Sequence, residues 1–215
     1  MPELSFGVEG AEPLPYCATP TLALKLRVAC ADRTPVQAVA LDCQVRIEAQ
    51  RRRYRPAERE RLLELFGEPE RWAQTLRSLL WTHASVSVPP FQGETVVDLH
   101  LPCTFDFNVQ ATRYFDSLEE GVVPLVLLFS GSVFFSDEGG RLQVERVPWS
   151  QEASFSLPVA TWRRVVELYY PNTAWLCLRK DVFDRLAAYK ARATLPTWEA
   201  ALESLLESRT EAGRP

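Results

Sequence analysis

Glycine is scarce in this chain, nine in 215 residues, and its placement leaves a whole class of sites without a scaffold. No G-x-G-x-x-G and no phosphate loop is present, so no backbone cradle for nucleotide phosphates can be assigned. Histidine is scarcer, with two residues, His83 and His100. No serine sits in a G-x-S-x-G elbow, which removes the commonest sign of an acyl-transfer nucleophile. No C-x-x-C occurs among the five cysteines, and no histidine-rich segment accompanies them. Zinc sites need clustered ligands, so the sequence gives no metal site and no cofactor. Long apolar runs are absent too. The longest, Val122 to Phe129, already contains Pro124 and falls far short of the ~20 residues of a membrane helix. The first residues, MPELSFGVEGAEP, carry acids where a signal peptide carries bases, so the expected location is the cytoplasm.

What the chain does have is alternation. Leu22, Leu24, Leu26, Val28 and Cys30 fall on every second residue, as do Leu41, Cys43 and Val45, and again Leu99, Leu101, Cys103 and Phe105. A period of two places each set on one face of a strand. The expected strands are Leu4–Val8, Thr21–Cys30, Val36–Gln50, His83–Val88, Thr95–Phe107, Val122–Phe135, Leu142–Val147 and Ala153–Leu157. Several strands with turns between them and no βα rhythm point to a mainly β, α+β protein built on an antiparallel β-sandwich. The nearly continuous apolar run from Val122 suggests a central strand with a helix over its second face. Cys30, Cys43 and Cys103 share the apolar register, so they are expected buried and unpaired.

The period changes after Gln50. Pro56 opens a helix that Gly67 ends, and a second helix is expected from Pro69 through Trp72, Leu76, Leu79 and Leu80. This pair, at about 56–80, reads as an insertion in the sandwich. After the EGAEPLPYCATP loop and the strands, the chain turns helical at Val159. The Trp162–Tyr169 face stops at Pro171, Asp181 and Thr197 offer caps for two more helices, and ESRTEAGRP reads as a fraying tail. The expected organisation is a sandwich over 1–158 and a helical segment over 159–215 packed on it.

Catalytic signals are weak. His100 and Asp98 share the polar face of one strand, a pattern that a solvated face explains. The G-S step in FSGSVFF reads as a strand glycine at a close backbone approach. Two surface features stand out instead. In RRRYRPAERER, Arg51, Arg52, Arg53, Arg55, Arg59 and Arg61 crowd around Tyr54, with Glu58, Glu60 and Glu64 as nearby acids. Guanidinium forks grip carboxylates, and a net charge of −4 makes an acidic protein partner a better match than nucleic acid. LYYPNTAWL concentrates Tyr169, Tyr170 and Trp175, with Trp162 and Trp149 nearby. Arginine with tyrosine and tryptophan is the composition of a protein–protein hot spot. The candidate partner-binding residues are therefore Arg51, Arg52, Arg53, Tyr54, Arg55, Tyr169, Tyr170 and Trp175, with no catalytic residue.

Four stretches, RRRYRPAERERLLELFGEPERWAQTLRSLLW, CTFDFNVQATRYFDSLEEGVVPLVLLFSGSVFF, VPWSQEASFSLPV and TWRRVVELYYPNTAWL, together resemble an uncharacterised bacterial family of unknown function. Its members are encoded beside high-affinity uptake nickel–iron hydrogenases. The resemblance covers essentially the whole chain and brings no catalytic residues with it. It implies a non-enzymatic accessory or assembly role, with a hydrogenase subunit as the protein partner. The alternative expectation is a small-molecule or metal-delivery protein with a pocket between the sheets.

Overall fold

The structure is a computed structural model, and it describes residues 2–104, 109–137, 139–173 and 176–212. Two antiparallel sheets carry the chain. The first joins β1 (Leu4–Leu14), β2 (Thr21–Cys30) and β5 (Glu94–Pro102) in the order β1-β2-β5. The second runs β4 (Leu79–Val88), β3 (Val36–Ile47), β6 (Val122–Ser136) and then β7 (Leu142–Arg146). β8 (Glu152–Pro158) pairs with the first half of β6 and β7 with its last residues.

The period-two residues meet between the sheets. Leu22, Leu24, Leu26, Leu99 and Leu101 from one, and Val39, Leu41, Cys43, Val45 and Ile47 from the other, are buried in a single core. Phe6 of β1 stacks on Phe129 of β6 with ring centroids 4.5 Å apart, so the two faces touch. Cys30, Cys43 and Cys103 are buried and free. Burial pushes the Cys43 and Cys103 thiols up to about 12, and burial with a hydrogen bond donated to Asp32 at 2.9 Å pushes Cys30 up to about 11, which keeps all three protonated.

Several expectations need correction. β1 continues to Leu14 through Pro13, because it is an edge strand and a proline there breaks no ladder on its free side. The second inserted helix, α2 (Trp72–Thr75), is a single turn after a tight turn at Pro69–Arg71, whereas α1 (Pro56–Phe66) forms as expected. Leu79 and Leu80 belong to β4, where pairing with Ile47 and Arg46 overrides their helical spacing. β5 ends at Pro102, and residues 105–108 of the expected Thr95–Phe107 strand lie outside the described residues. A helix the alternation hid, α3 (Gln110–Asp116), buries Ala111, Tyr114 and Phe115. β6 is covered on both faces only in part, with Val126 the buried residue of its second face. Val133 and Leu127 point into the core, while Leu128, Ser132 and Phe134 on the other face are half-buried and Ser130 is exposed.

Gly131 in β6 explains the G-S step. Its φ is +147°, and a Cβ there would lie 2.0 Å from the Ala40 carbonyl oxygen. A strand glycine is required because the neighbouring backbone occupies the space.

Residues 1–175 form one compact unit and 176–215 another. α4 (Val159–Tyr169) belongs to the first. Its Trp162 stacks on Phe115 of α3 at 4.4 Å, and Trp81 of β4 completes the aromatic cluster, 4.9 Å from Phe115. The second unit consists of α5 (Lys180–Arg192) and α6 (Trp198–Ala212), the latter started by Thr197, whose Oγ1 accepts the Ala200 N–H at 3.1 Å. α6 extends well into the segment expected to fray.

Candidate partner-binding site

The arginine-rich stretch leaves β3 through a tight turn at Ala49–Arg51 and becomes extended before α1. Extended backbone alternates its side chains, and that alternation sorts the stretch. Arg52 and Tyr54 turn inward. Arg51, Arg53 and Arg55 are exposed.

The Arg52 side chain is 8% exposed. Its Nη1 donates to the Val122 carbonyl at 2.6 Å. Its Nη2 donates to the Glu120 carbonyl at 2.6 Å and to Glu58 Oε1 at 2.7 Å. Glu58, 1% exposed, also accepts the backbone N–H groups of Arg55 at 3.0 Å and Glu119 at 2.9 Å. Burial opposes its ionisation, but those two N–H groups and the Arg52 guanidinium outweigh it and hold the carboxyl below its ordinary value. Gly121, at φ +85°, lets the chain pass over this guanidinium; a Cβ there would lie 3.4 Å from Arg52 Nη1. Arg52 therefore joins α1 to the link between α3 and β6 and is not available to a partner.

Tyr54 is likewise internal. Its hydroxyl donates to the Ala49 carbonyl at 2.6 Å and bonds the Tyr114 hydroxyl at 2.8 Å, and its ring meets Trp72 edge-on at 5.4 Å. Burial, with the neighbouring Tyr114, raises its pKa. It supplies the core, not apolar contact area at the surface.

The outward residues are answered unevenly. Arg55 pairs with Glu120 and lies 4.0 Å from Glu119, and Arg61 pairs with Glu119 at 3.1 Å. Arg51 reaches Glu48 at 3.8 Å, and Arg53 makes no ion pair among the described residues. The acids come mostly from across the fold, Glu119 and Glu120 between α3 and β6, while Glu64 of α1 pairs with Arg113 of α3. Arg51, Arg53 and Arg55 rim an open cleft of about 350 Å³, with Arg52, Glu58, Gly121, Val122 and Pro124 among its walls.

The aromatic candidates divide too. Tyr169 is part-buried. Its hydroxyl donates to the Leu14 carbonyl at 2.6 Å and accepts the Cys17 N–H at 3.0 Å, tying α4 to the β1–β2 connection. Tyr170 is half-buried against the core, and Trp175 lies outside the described residues. The indole left outward is Trp149, 91% exposed, on the link between β7 and β8. It borders a cleft of about 410 Å³ with Asp42, Gln44, His83, Ser85 and Ser130 in its walls. Its flanking Pro148 and Ser150, both turn formers, are the sequence signal for that exposure.

Catalytic groupings stay loose. Asp98 pairs with Lys25 at 2.8 Å. Among the described residues no three His, Cys, Asp or Glu side chains cluster as a metal site, and no helix is long and apolar enough to cross a membrane.

The model of a family of unknown function, DUF6084, matches residues 1–214. The chain belongs to that family. No curated protein matches it. Among solved structures, a selenomethionine-labelled β-glucosidase from Kluyveromyces marxianus aligns with 72% of this chain at 9% identity and a TM-score of 0.27. The chain spans 15% of that protein's length, and a likeness at this level bears on neither fold nor function.

Proposed function

We propose that this DUF6084 member is a non-enzymatic accessory or assembly protein of a nickel–iron hydrogenase. In this reading it grips an acidic segment of a hydrogenase subunit at the cleft rimmed by Arg51, Arg53 and Arg55. The carrying observation is the alternation within residues 51–55. Arg52 and Tyr54 are held inward by the fold, while guanidinium groups of the intervening residues line one open cleft and Arg53 lacks an ion pair among the described residues. Exposed like charges so close together repel, and an acidic partner relieves that repulsion. Guanidinium forks bind carboxylates in pairs of hydrogen bonds, which gives register as well as attraction. The choice of a hydrogenase rests on the resemblance to sequences encoded beside uptake hydrogenases.

The test is affinity capture from the native host with the tagged chain, followed by identification of hydrogenase subunits, at low and high salt. Exposed charges are screened within about 8 Å at physiological ionic strength, so recovery should fall as salt rises. Arg51→Glu combined with Arg53→Glu should abolish recovery while circular dichroism stays unchanged. Undiminished recovery by that variant would remove the cleft from the reading, and absence of hydrogenase subunits from the wild-type capture would reject the partner.

A further inference from the structure

The unit formed by residues 176–215 leaves an apolar stripe of α6 partly exposed. Within it, Ala201 of α6 is fully buried, and Ser204, three residues on, shares a hydrogen bond of 2.7 Å with the Tyr189 hydroxyl of α5. The rings of Phe183 and Trp198 lie 5.2 Å apart. These contacts join the two helices along one side. The apolar face of α6 continues from Trp198, whose ring also lies under the Lys190 ammonium of α5 at 5.5 Å, through Leu202 and Leu205 at i+4 and i+7, and each of the three is still 39% exposed. Units of about 40 residues seldom hold themselves together without a disulfide, a metal or a second chain. Cys177, in this unit, is exposed and free.

Charge indicates what covers the stripe. α5 carries Lys180, Arg185, Lys190 and Arg192 against Asp181 and Asp184, so it is net positive. α6 up to residue 207 carries Glu199, Glu203 and Glu207 and no base. Among the described residues, Arg185, Arg192 and these three glutamates form no ion pairs, so the opposite charges of the two helices are not matched within one hairpin. A second copy related by a two-fold axis would lay stripe against stripe and set each positive α5 beside the partner's negative α6. We infer that the chain is a homodimer in which two α5–α6 hairpins close into an antiparallel four-helix bundle. Such an interface is self-complementary, as two-fold symmetry requires, and hairpin pairs of this kind bury their apolar positions in one shared core. The inference is independent of the hydrogenase reading.

Sedimentation equilibrium of the full chain at micromolar concentration tests it. The expected result is a dimer, converted to monomer by Leu202→Glu combined with Leu205→Glu. Because that variant could also unravel the hairpin, a charge pair is measured beside it. By the two-fold, Glu199→Lys with Glu203→Lys removes four pairs per dimer and should raise the dissociation constant about tenfold. Adding Arg185→Glu and Arg192→Glu should restore it. A monomer throughout the micromolar range, a dimer untouched by the leucine variant, or a charge reversal without rescue would each overturn the assignment.

Discussion

The arginine-rich stretch at 51–55 and the helical unit at 176–215 depart in opposite directions from the rule that charge faces water and apolar groups do not. In the first, one guanidinium is almost fully enclosed, with Glu58 and two backbone carbonyls around it. In the second, Trp198 and Leu202 stand partly in solvent. The difference lies in what the rest of the fold can supply. Arg52 sits where the link between α3 and β6 passes, and that link brings carbonyls and acids from far along the chain. The helical unit has two helices, and two helices cannot enclose their own apolar faces. The internal charge is enclosed by its own fold, although the Arg52 Nε is buried without a partner among the described residues, while the outward leucine stripe is the surface that the proposed second copy would cover.

The sharpest way to break this comparison is to exchange Arg52 and Arg53 separately for methionine. Removing one partner of a buried ion pair strands the other, so Arg52→Met should cost about 3–5 kcal/mol in urea unfolding. Arg53→Met, on the exposed side, should stay within about 0.5 kcal/mol. Equal losses would mean that the alternation does not sort the stretch.

A second contrast sets the sandwich core against the helical unit. Trp162, 1% exposed between α3 and β4, should cost about 3–5 kcal/mol when changed to alanine. Leu202→Ala should leave the sandwich transition, followed by indole fluorescence, within about 0.5 kcal/mol. A large loss from Leu202 would show that the sandwich depends on the helical unit for its stability. Cys43→Ser, which buries a hydroxyl in an apolar register, should cost about 1–3 kcal/mol.

A smaller effect belongs to pH. Glu58 has a folded pKa below its ordinary 4.5, so its contribution is fully present above that value and is lost as pH falls through the folded one. Glu58→Gln keeps one acceptor oxygen, enough for only one of the Arg55 and Glu119 N–H groups, which bond different oxygens of Glu58, and it removes the charge. The variant should be less stable than wild type at neutral pH and should show a shallower loss of stability below about pH 4.5. A parallel acid slope in both proteins would place the acid sensitivity elsewhere.

The architecture was legible wherever period two ran long enough. β2 matches its expected bounds, and the apolar register of β2, β3 and the β5 segment predicted both the core and the buried cysteines. Periodicity misled where a segment was short. Leu79 and Leu80 fit a helix equally well, but pairing with β3 decided for a strand, and the helix ends at Leu76. Seven-residue α3 offers too few turns to show a helical period. The candidate site was legible as a composition and not as an arrangement. RRRYR announces a cationic surface, but the acids that engage Arg52, Arg55 and Arg61 include Glu119 and Glu120, brought in by topology. The extended conformation that turns Arg52 and Tyr54 inward follows from the position of the stretch between a turn and Pro56. A residue before proline is biased to that conformation, and Arg55 adopts it at φ −73° and ψ 159°.

The central claim is that residues 51–55 divide their work by alternation, Arg52 and Tyr54 holding the fold while Arg51 and Arg53 are turned out for an acidic partner and Arg55 is answered by Glu120. The most direct measurement takes urea midpoints and hydrogenase capture on the same preparations of wild type, Arg52→Met and the Arg51→Glu, Arg53→Glu double variant. The account predicts that the double variant keeps its midpoint and loses the hydrogenase subunits, while Arg52→Met loses several kcal/mol of stability. A double variant that captures hydrogenase as well as wild type would contradict it.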